Sequence, residues 1–234
     1  MKKVVAIGEL LIDFVPQQRG CALDEVVQFE RVAGGAPANV ATAVARLGGR
    51  AQMISQVGED AFGTHILKTL RANGVDTSSV FRTERANTAL AFVSLDKNGN
   101  REFSFYRNPG ADMILTSGEV DMALVENTRV FHFGTISMTH GDVRRATRHA
   151  VSHAREKGAL VSFDPNLRPP LWPSLELARE QMRYGCGACS VMKIEVEELL
   201  FLTGCSSMKE GLDALKREFG NLRLILVTGG REGS

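Results

Sequence analysis

The 234-residue sequence contains no apolar run approaching the ~20 residues that a bilayer-spanning helix needs. Its first apolar stretch, Val4-Val5-Ala6-Ile7, ends at Gly8-Glu9 and is too short for the core of a secretory signal, so it reads as a first strand. Cysteine is scarce: four residues without framework spacing, which excludes a disulfide-stapled extracellular module and fits a reducing cytoplasm. Charge of one sign is missing too. A net charge of +1 gives no electrostatic case for nucleic acid or an anionic membrane as partner. Internal repeats, low-complexity runs and Ser/Gly linkers are absent, so nothing divides residues 1–234 into separate domains. No HExxH, GxSxG or Walker lysine motif occurs, so any phosphate must be held by another device.

What is present is an ordinary soluble composition, 44% apolar and 24% charged, organised around Ala33-Gly34-Gly35-Ala36-Pro37-Ala38-Asn39. Pro37 suits the first turn of a helix, where its missing N–H has no intrahelical partner. Val40, Val44 and Leu47 then recur at helical spacing and are expected to share a buried face. Gly34 and Gly35 allow backbone to approach a ligand without a Cβ in the way, and Asn39 adds an amide that both donates and accepts. Such a helix start suits a small polyhydroxylated ligand; an ordinary loop entering a core helix is the plainer alternative. Asp13 is a carboxylate in apolar company, costly unless hydrogen-bonded or paired.

Strand, turn and helix alternate along most of the chain, the pattern of a parallel sheet with crossovers. Strands are expected at 51–57, 130–134, 159–163, 191–194 and 222–227, and helices at 142–157, 174–184, 195–203 and 207–218, with Asp60 capping a further helix through Ala72. Residues 88–107 break this rhythm as a hairpin around Asn98-Gly99, a dipeptide suited to a turn with positive φ at both centres. With residues 26–33 the hairpin reads as a small β flap, whose end brings Tyr106 and Arg107 within reach of a ligand. Ligand sites in open α/β sheets lie beyond the carboxyl ends of strands, where Asp13, Asp164-Pro165-Asn166-Leu167-Arg168, Lys193 with Glu195, Glu197 and Glu198, and Thr228-Gly229-Gly230 are expected to gather.

Two metal-like spacings are set aside. Cys186-Gly-Ala-Cys189 has no second pair to complete a zinc site. His149 and His153 fall on the side of their helix opposite Val143, Ala146, Thr147, Ala150, Val151 and Ala154, so they are expected in solvent.

The run Gly34-Gly35-Ala36-Pro37-Ala38-Asn39-Val40-Ala41, with Gly48 and Gly58 at set intervals, resembles the N-terminal signature of the ribokinase-like (PfkB) sugar kinases. The stretches GELLIDFVP, EFSFYRNPGADM and SFDPNLRPPLWPS are most similar to its fructokinase branch. The resemblance implies a mostly parallel central sheet flanked by helices, with a β lid (about 15–33 and 87–108) that serves as a homodimer interface. It implies transfer of the ATP γ-phosphoryl group to a primary hydroxyl of a sugar with Mg2+, and leaves a monovalent cation open. Carried over by position, Asp13, Gly34, Gly35 and Asn39 hold the sugar under Tyr106 and Arg107. Asn166, Arg168 and Lys193 lie near phosphates, Thr228, Gly230 and Gly233 form the nucleotide turn, and Glu198 organises the metal through water. Glu195 departs from the family's N-x-x-E motif, which has Asn or Ser there. The family's GAGD loop, source of the catalytic base and an anion hole, does not occur in these residues and is expected beyond Ser234. The expectations are therefore phosphorylation of D-fructose, or of 2-keto-3-deoxygluconate, aminoimidazole riboside or ribose by a related kinase, or else a sugar-binding, dimerising remnant without turnover.

Overall fold

The computed structural model describes residues 3–18, 20–95, 101–230 and 233, without the side chains of 95, 101 and 102. In chain order the strands are β1 Lys3–Ile7, β2 Leu11–Pro16, β3 Phe29–Gly34, β4 Ala51–Gly58, β5 Val75–Thr83, β6 Ala89–Leu95, β7 Arg101–Tyr106, β8 Thr128–Gly134, β9 Leu160–Asp164, β10 Val191–Glu195 and β11 Leu224–Thr228. The helices are α1 Ala36–Arg46, α2 Ala61–Ala72, α3 Met122–Glu126, α4 Gly141–Glu156, α5 Leu175–Ala188, α6 Val196–Thr203 and α7 Met208–Glu218.

Seven strands form one sheet in the order β11-β10-β9-β8-β1-β4-β5, and every pairing in it is parallel. Alternation along β1 divides the core between the two faces. Val5 and Ile7 join the cluster under α4 and α5, whereas Ala6 joins the cluster with α1 and α2. The crossovers run one way from β1 to β4 and the other way from β8 to β9, so the order reverses between β1 and β8. Ligands bind at such switch points.

The core around β9 is tight at one glycine. A Cβ on Gly185 in α5 would land on the ring of Phe163, which is fully buried and stacked on Phe133 at 4.7 Å. Gly185→Ala gains up to about 1 kcal/mol of helix propensity. Forcing Phe163 aside costs about 1–3 kcal/mol, so a net fall in the urea midpoint is expected. A midpoint that rises would mean the ring has room to move.

The second sheet has the order β3-β2-β6-β7, with β2 parallel to β6 and the outer pairs antiparallel. The flap of the sequence reading is thus a four-stranded sheet that begins at Leu11 and takes β2 as an inner strand. Asp13 belongs to this sheet, not to the carboxyl end of β1, because the chain turns through Gly8–Leu10 and starts a new strand. The hairpin strands β6 and β7 pair as expected, while their Asn98-Gly99 turn lies outside the described residues. β5 was not anticipated; its sequence VDTSSVFRT is polar because it is an edge strand with every second residue exposed at its start.

The buried face of α4 follows its residue spacing, and that of α1 does not. The six small and β-branched residues named for α4 are its buried residues. His149 is exposed, but His153 is half-buried, and its Nε2 is covered without a hydrogen-bond partner. On α1 the buried residues are Pro37, Ala38 and Ala41, Val40 and Val44 are half-buried, and Leu47 at the C-cap is 88% exposed. Here the helix lies close to the sheet, and close approach selects proline and alanine over larger side chains.

Candidate active site

A cavity of about 380 Å³ lies between the two sheets, above the carboxyl ends of β1, β8 and β9. Its cover comes from alternate residues of the small sheet: Leu11, Asp13 and Val15 of β2, Val32, Val93, and Phe103 with Phe105 of β7. Its floor comes from Glu9, Gly35, Ala36 and Asn39, with Ile136, Asn166 and Arg168. Apolar walls around a few directional polar groups describe a pocket for a small hydroxylated molecule.

The glycine pair acts here by close approach. A Cβ on Gly34 would fall on Asp13 Oδ2, so the carboxylate rests against bare backbone. Gly35 has φ +119°, which L side chains rarely adopt, and a Cβ there would strike the carbonyl oxygen of Glu9. Gly35 is also the N-cap of α1 and supplies no side-chain cap. The N–H of Ala36 instead donates to Glu9 Oε1 at 2.7 Å. Glu9 is 2% exposed, and burial pushes its carboxyl up to about 7.

Asn166 sits at φ +44°, a left-handed conformation that asparagine tolerates better than most residues and that turns the chain sharply after β9. The guanidinium of Arg168 lies 5.2 Å from the centroid of Phe103, bridging floor and cover. The structure therefore gathers Asp13, Gly35, Asn39, Asn166 and Arg168 around one cavity, with Gly34 behind Asp13. Asn166 and Arg168, expected beside phosphates, line the same cavity as Asp13 and Asn39.

The flap-end pair separates. Tyr106 pairs with Leu90 and, like Phe14 and Phe92, points to the outer face of the small sheet, because Phe105 takes the inner face. It does not line the cavity and is 64% exposed. Arg107 is buried: Nη2 meets Asp112 Oδ2 at 2.7 Å, Nη1 donates to Thr139 Oγ1 at 3.0 Å, and Nη2 also donates to the carbonyl of Ile136 at 3.3 Å. It ties the end of the small sheet to the loop after β8 and does not line the 380 Å³ cavity.

The remaining expected residues form a second group at the ends of β9, β10 and β11. Lys193 Nζ lies 3.4 Å from Asp164 Oδ2 and 3.6 Å from Glu195 Oε1, which neutralises part of the extra carboxylate at position 195. Asp164 Oδ1 is buried without a hydrogen-bond partner, and burial raises that carboxyl. Glu198 Oε1 accepts from the Leu167 N–H at 2.6 Å and Oε2 from the Glu195 N–H at 2.9 Å, so it fastens the Asn166 turn to the start of α6. Burial raises its carboxyl as well. Thr228 pairs in register with Glu195, the Gly229 N–H donates to the Gly233 carbonyl at 2.8 Å, and Gly230 takes a left-handed conformation.

Glu9 and Asp112 were missed in the sequence. A carboxylate directly after a buried strand, at Gly8-Glu9, was the available signal for the first; nothing local marks Asp112 as the partner of Arg107. Cys186 and Cys189 are buried free thiols; burial raises Cys186 strongly and pushes Cys189 up to about 12.

Comparison with known proteins agrees with this fold. A fructokinase-2 of Solanum habrochaites is 46% identical over 230 residues, covering 98% of this chain and 70% of that protein. A crystal structure of a fructokinase with bound ATP from Xylella fastidiosa superposes with a TM-score of 0.82 at 36% identity, over 97% of this chain and 69% of the other. A double mutant of a fructokinase from Vibrio cholerae O395, in a fructose, ADP and potassium ion bound form, gives 0.86 at 33% identity, over 98% and 71%. Residues 1–234 match the description "pfkB family carbohydrate kinase", and the chain belongs to that family.

Proposed function

We propose that the protein is an ATP-dependent fructokinase, forming fructose 6-phosphate from D-fructose. The observation that carries this reading is the cavity in which Asp13 on the cover faces Asn39 and the N-terminal turn of α1. A carboxylate accepting from a vicinal pair of hydroxyls, opposite an amide that donates and accepts, orients a polyol. Asn166 and Arg168 add polar contacts on the floor. The group around Lys193, Thr228, Gly230 and Gly233 is assigned to the nucleotide phosphates.

A 2-keto-3-deoxygluconate carboxylate finds no partner in Arg107, which is occupied by Asp112, or in Tyr106, which faces outward; Arg168 is the guanidinium that lines the cavity. A hard divalent cation such as Mg2+ fits the oxygen donors on the nucleotide side, where Asp164 Oδ1 is an orphaned buried acceptor. Among the described residues no three His, Cys, Asp or Glu converge on one metal position. Asp164, and Glu198 through water, would therefore hold the ion alongside phosphate oxygens, and the ion would offset phosphate charge. Both Glu198 oxygens are already engaged, in keeping with an indirect role.

The outer face of the small sheet is partly covered by α2, where Phe14 meets Phe62 at 5.8 Å; its remainder, with Phe29 and Phe92 packed together and Tyr106 64% exposed, supports a homodimer through that face. Four free thiols and the absence, among the described residues, of a helix long and apolar enough to cross a membrane accompany the cytoplasmic assignment. No GAGD sequence occurs in these residues, so the 234 residues alone are expected to bind fructose without turnover.

Titration calorimetry with fructose, ribose, aminoimidazole riboside and 2-keto-3-deoxygluconate, beside an ATP-coupled assay, tests this. Fructose is expected to bind tightest. Tighter binding of the sugar acid or of either riboside would replace the substrate, and turnover by the 234 residues would place the base within them.

A further inference from the structure

We infer that Glu9 is a positioning residue of the sugar site: it caps α1 from a distance and so fixes where Asn39 meets the sugar. The inference rests on the sugar site proposed above. A helix start leaves four N–H groups without intrahelical partners, and the usual remedy is a side chain at the N-cap. That remedy is unavailable here, since a Cβ on Gly35 would strike the Glu9 carbonyl and the φ of +119° excludes most residues. The cap comes instead from the side chain of Glu9, 27 positions earlier, through the 2.7 Å bond from the Ala36 N–H. The same residue thus meets the turn twice, with its backbone beneath Gly35 and its carboxylate on Ala36. Asn39, whose N–H donates to the Gly35 carbonyl at 2.9 Å, hangs from that turn and presents its side chain to the cavity.

A charged cap buried to 2% exposure is costly when a neutral acceptor could make the same bond. What the charge adds is a stronger bond and a favourable interaction with the positive end of the helix. Glu9 is faced by Arg107 and Asp112, and it shares the cavity with Asp13 and Arg168. Burial pushes its carboxyl up to about 7, so the bond gains charge as pH rises above that value and slackens as pH falls through it.

The test uses Glu9→Ala and Glu9→Gln, with fructose affinity by calorimetry from pH 6 to 8 and amide hydrogen exchange at Ala36. Glu9→Ala is expected to weaken fructose about tenfold and to speed Ala36 exchange by a similar factor. Glu9→Gln, whose amide oxygen accepts the same bond without titrating, is expected to restore most of both. The native protein is expected to bind fructose about threefold more weakly at pH 6 than at pH 8, and the Gln variant equally at both. If Glu9→Ala does not fold, the Gln profile decides. A Gln variant that keeps the native pH dependence, or an Ala variant with native affinity and Ala36 exchange, overturns the inference. Native protein that protects Ala36 yet binds no fructose overturns the fructose reading first, and this inference with it.

Discussion

Asp112→Ala is expected to destabilise the fold by about 3–5 kcal/mol, because it strands a buried guanidinium. The side chains of Arg107 and Asp112 are 2% and 1% exposed, so water cannot replace the lost partner. Arg107 meets Asp112 through both Nε and Nη2, a forked arrangement that no remaining group reproduces. Thr139 Oγ1 and the Ile136 carbonyl supply neutral acceptors only. Urea unfolding should show a lower midpoint at constant slope. The double replacement Arg107→Met with Asp112→Leu should recover much of the loss, since a buried ion pair often adds little over packed apolar side chains. A single variant within about 1 kcal/mol of native would mean that water or Glu9 reaches the guanidinium.

Asp13→Ala is expected to remove measurable fructose binding while leaving the protein folded. Hydrogen bonds to a charged acceptor contribute about 1.5–3 kcal/mol each. Two of them, to adjacent hydroxyls, correspond to roughly 150- to 25,000-fold in affinity. Asp13→Asn keeps the shape and one acceptor oxygen and should fall between. Calorimetry with circular dichroism separates lost binding from lost fold. A folded Ala variant binding within threefold of native would remove Asp13 from the site.

The sequence was most informative where chemistry is local. The buried face of α4, the cap of α2 by Asp60 and the antiparallel β6–β7 pair all follow from neighbours along the chain. It was least informative where a residue's role depends on what another strand or helix brings. Hydrophobicity favours Val40, Val44 and Leu47 as the inner face of α1, but the distance of closest approach to the sheet selects Pro37, Ala38 and Ala41. Tyr106 and Arg107 are adjacent in sequence, yet strand alternation turns Tyr106 outward, and the loop after β8 captures Arg107. Asn166 and Arg168 carry the chemistry of a phosphate site as readily as that of a sugar site. The nearness of β9 to the small sheet sets both on the floor of the cavity. Glu9 could be seen as an oddity but not explained, since its partner lies 27 residues away.

Only Gly8–Leu10 separates β1 at the middle of the large sheet from β2 inside the small one, and the return path at Gly34 and Gly35 is shorter still. The site is therefore built like a calliper, with Asp13 on one jaw and Asn39 on the other, joined by two short arms of backbone. Its opening is set by peptide geometry, not by the reach of long side chains. A ligand is gauged by its width as well as by its hydroxyls: a ring too narrow to touch both jaws forfeits half its contacts, and one too wide must bend the arms themselves.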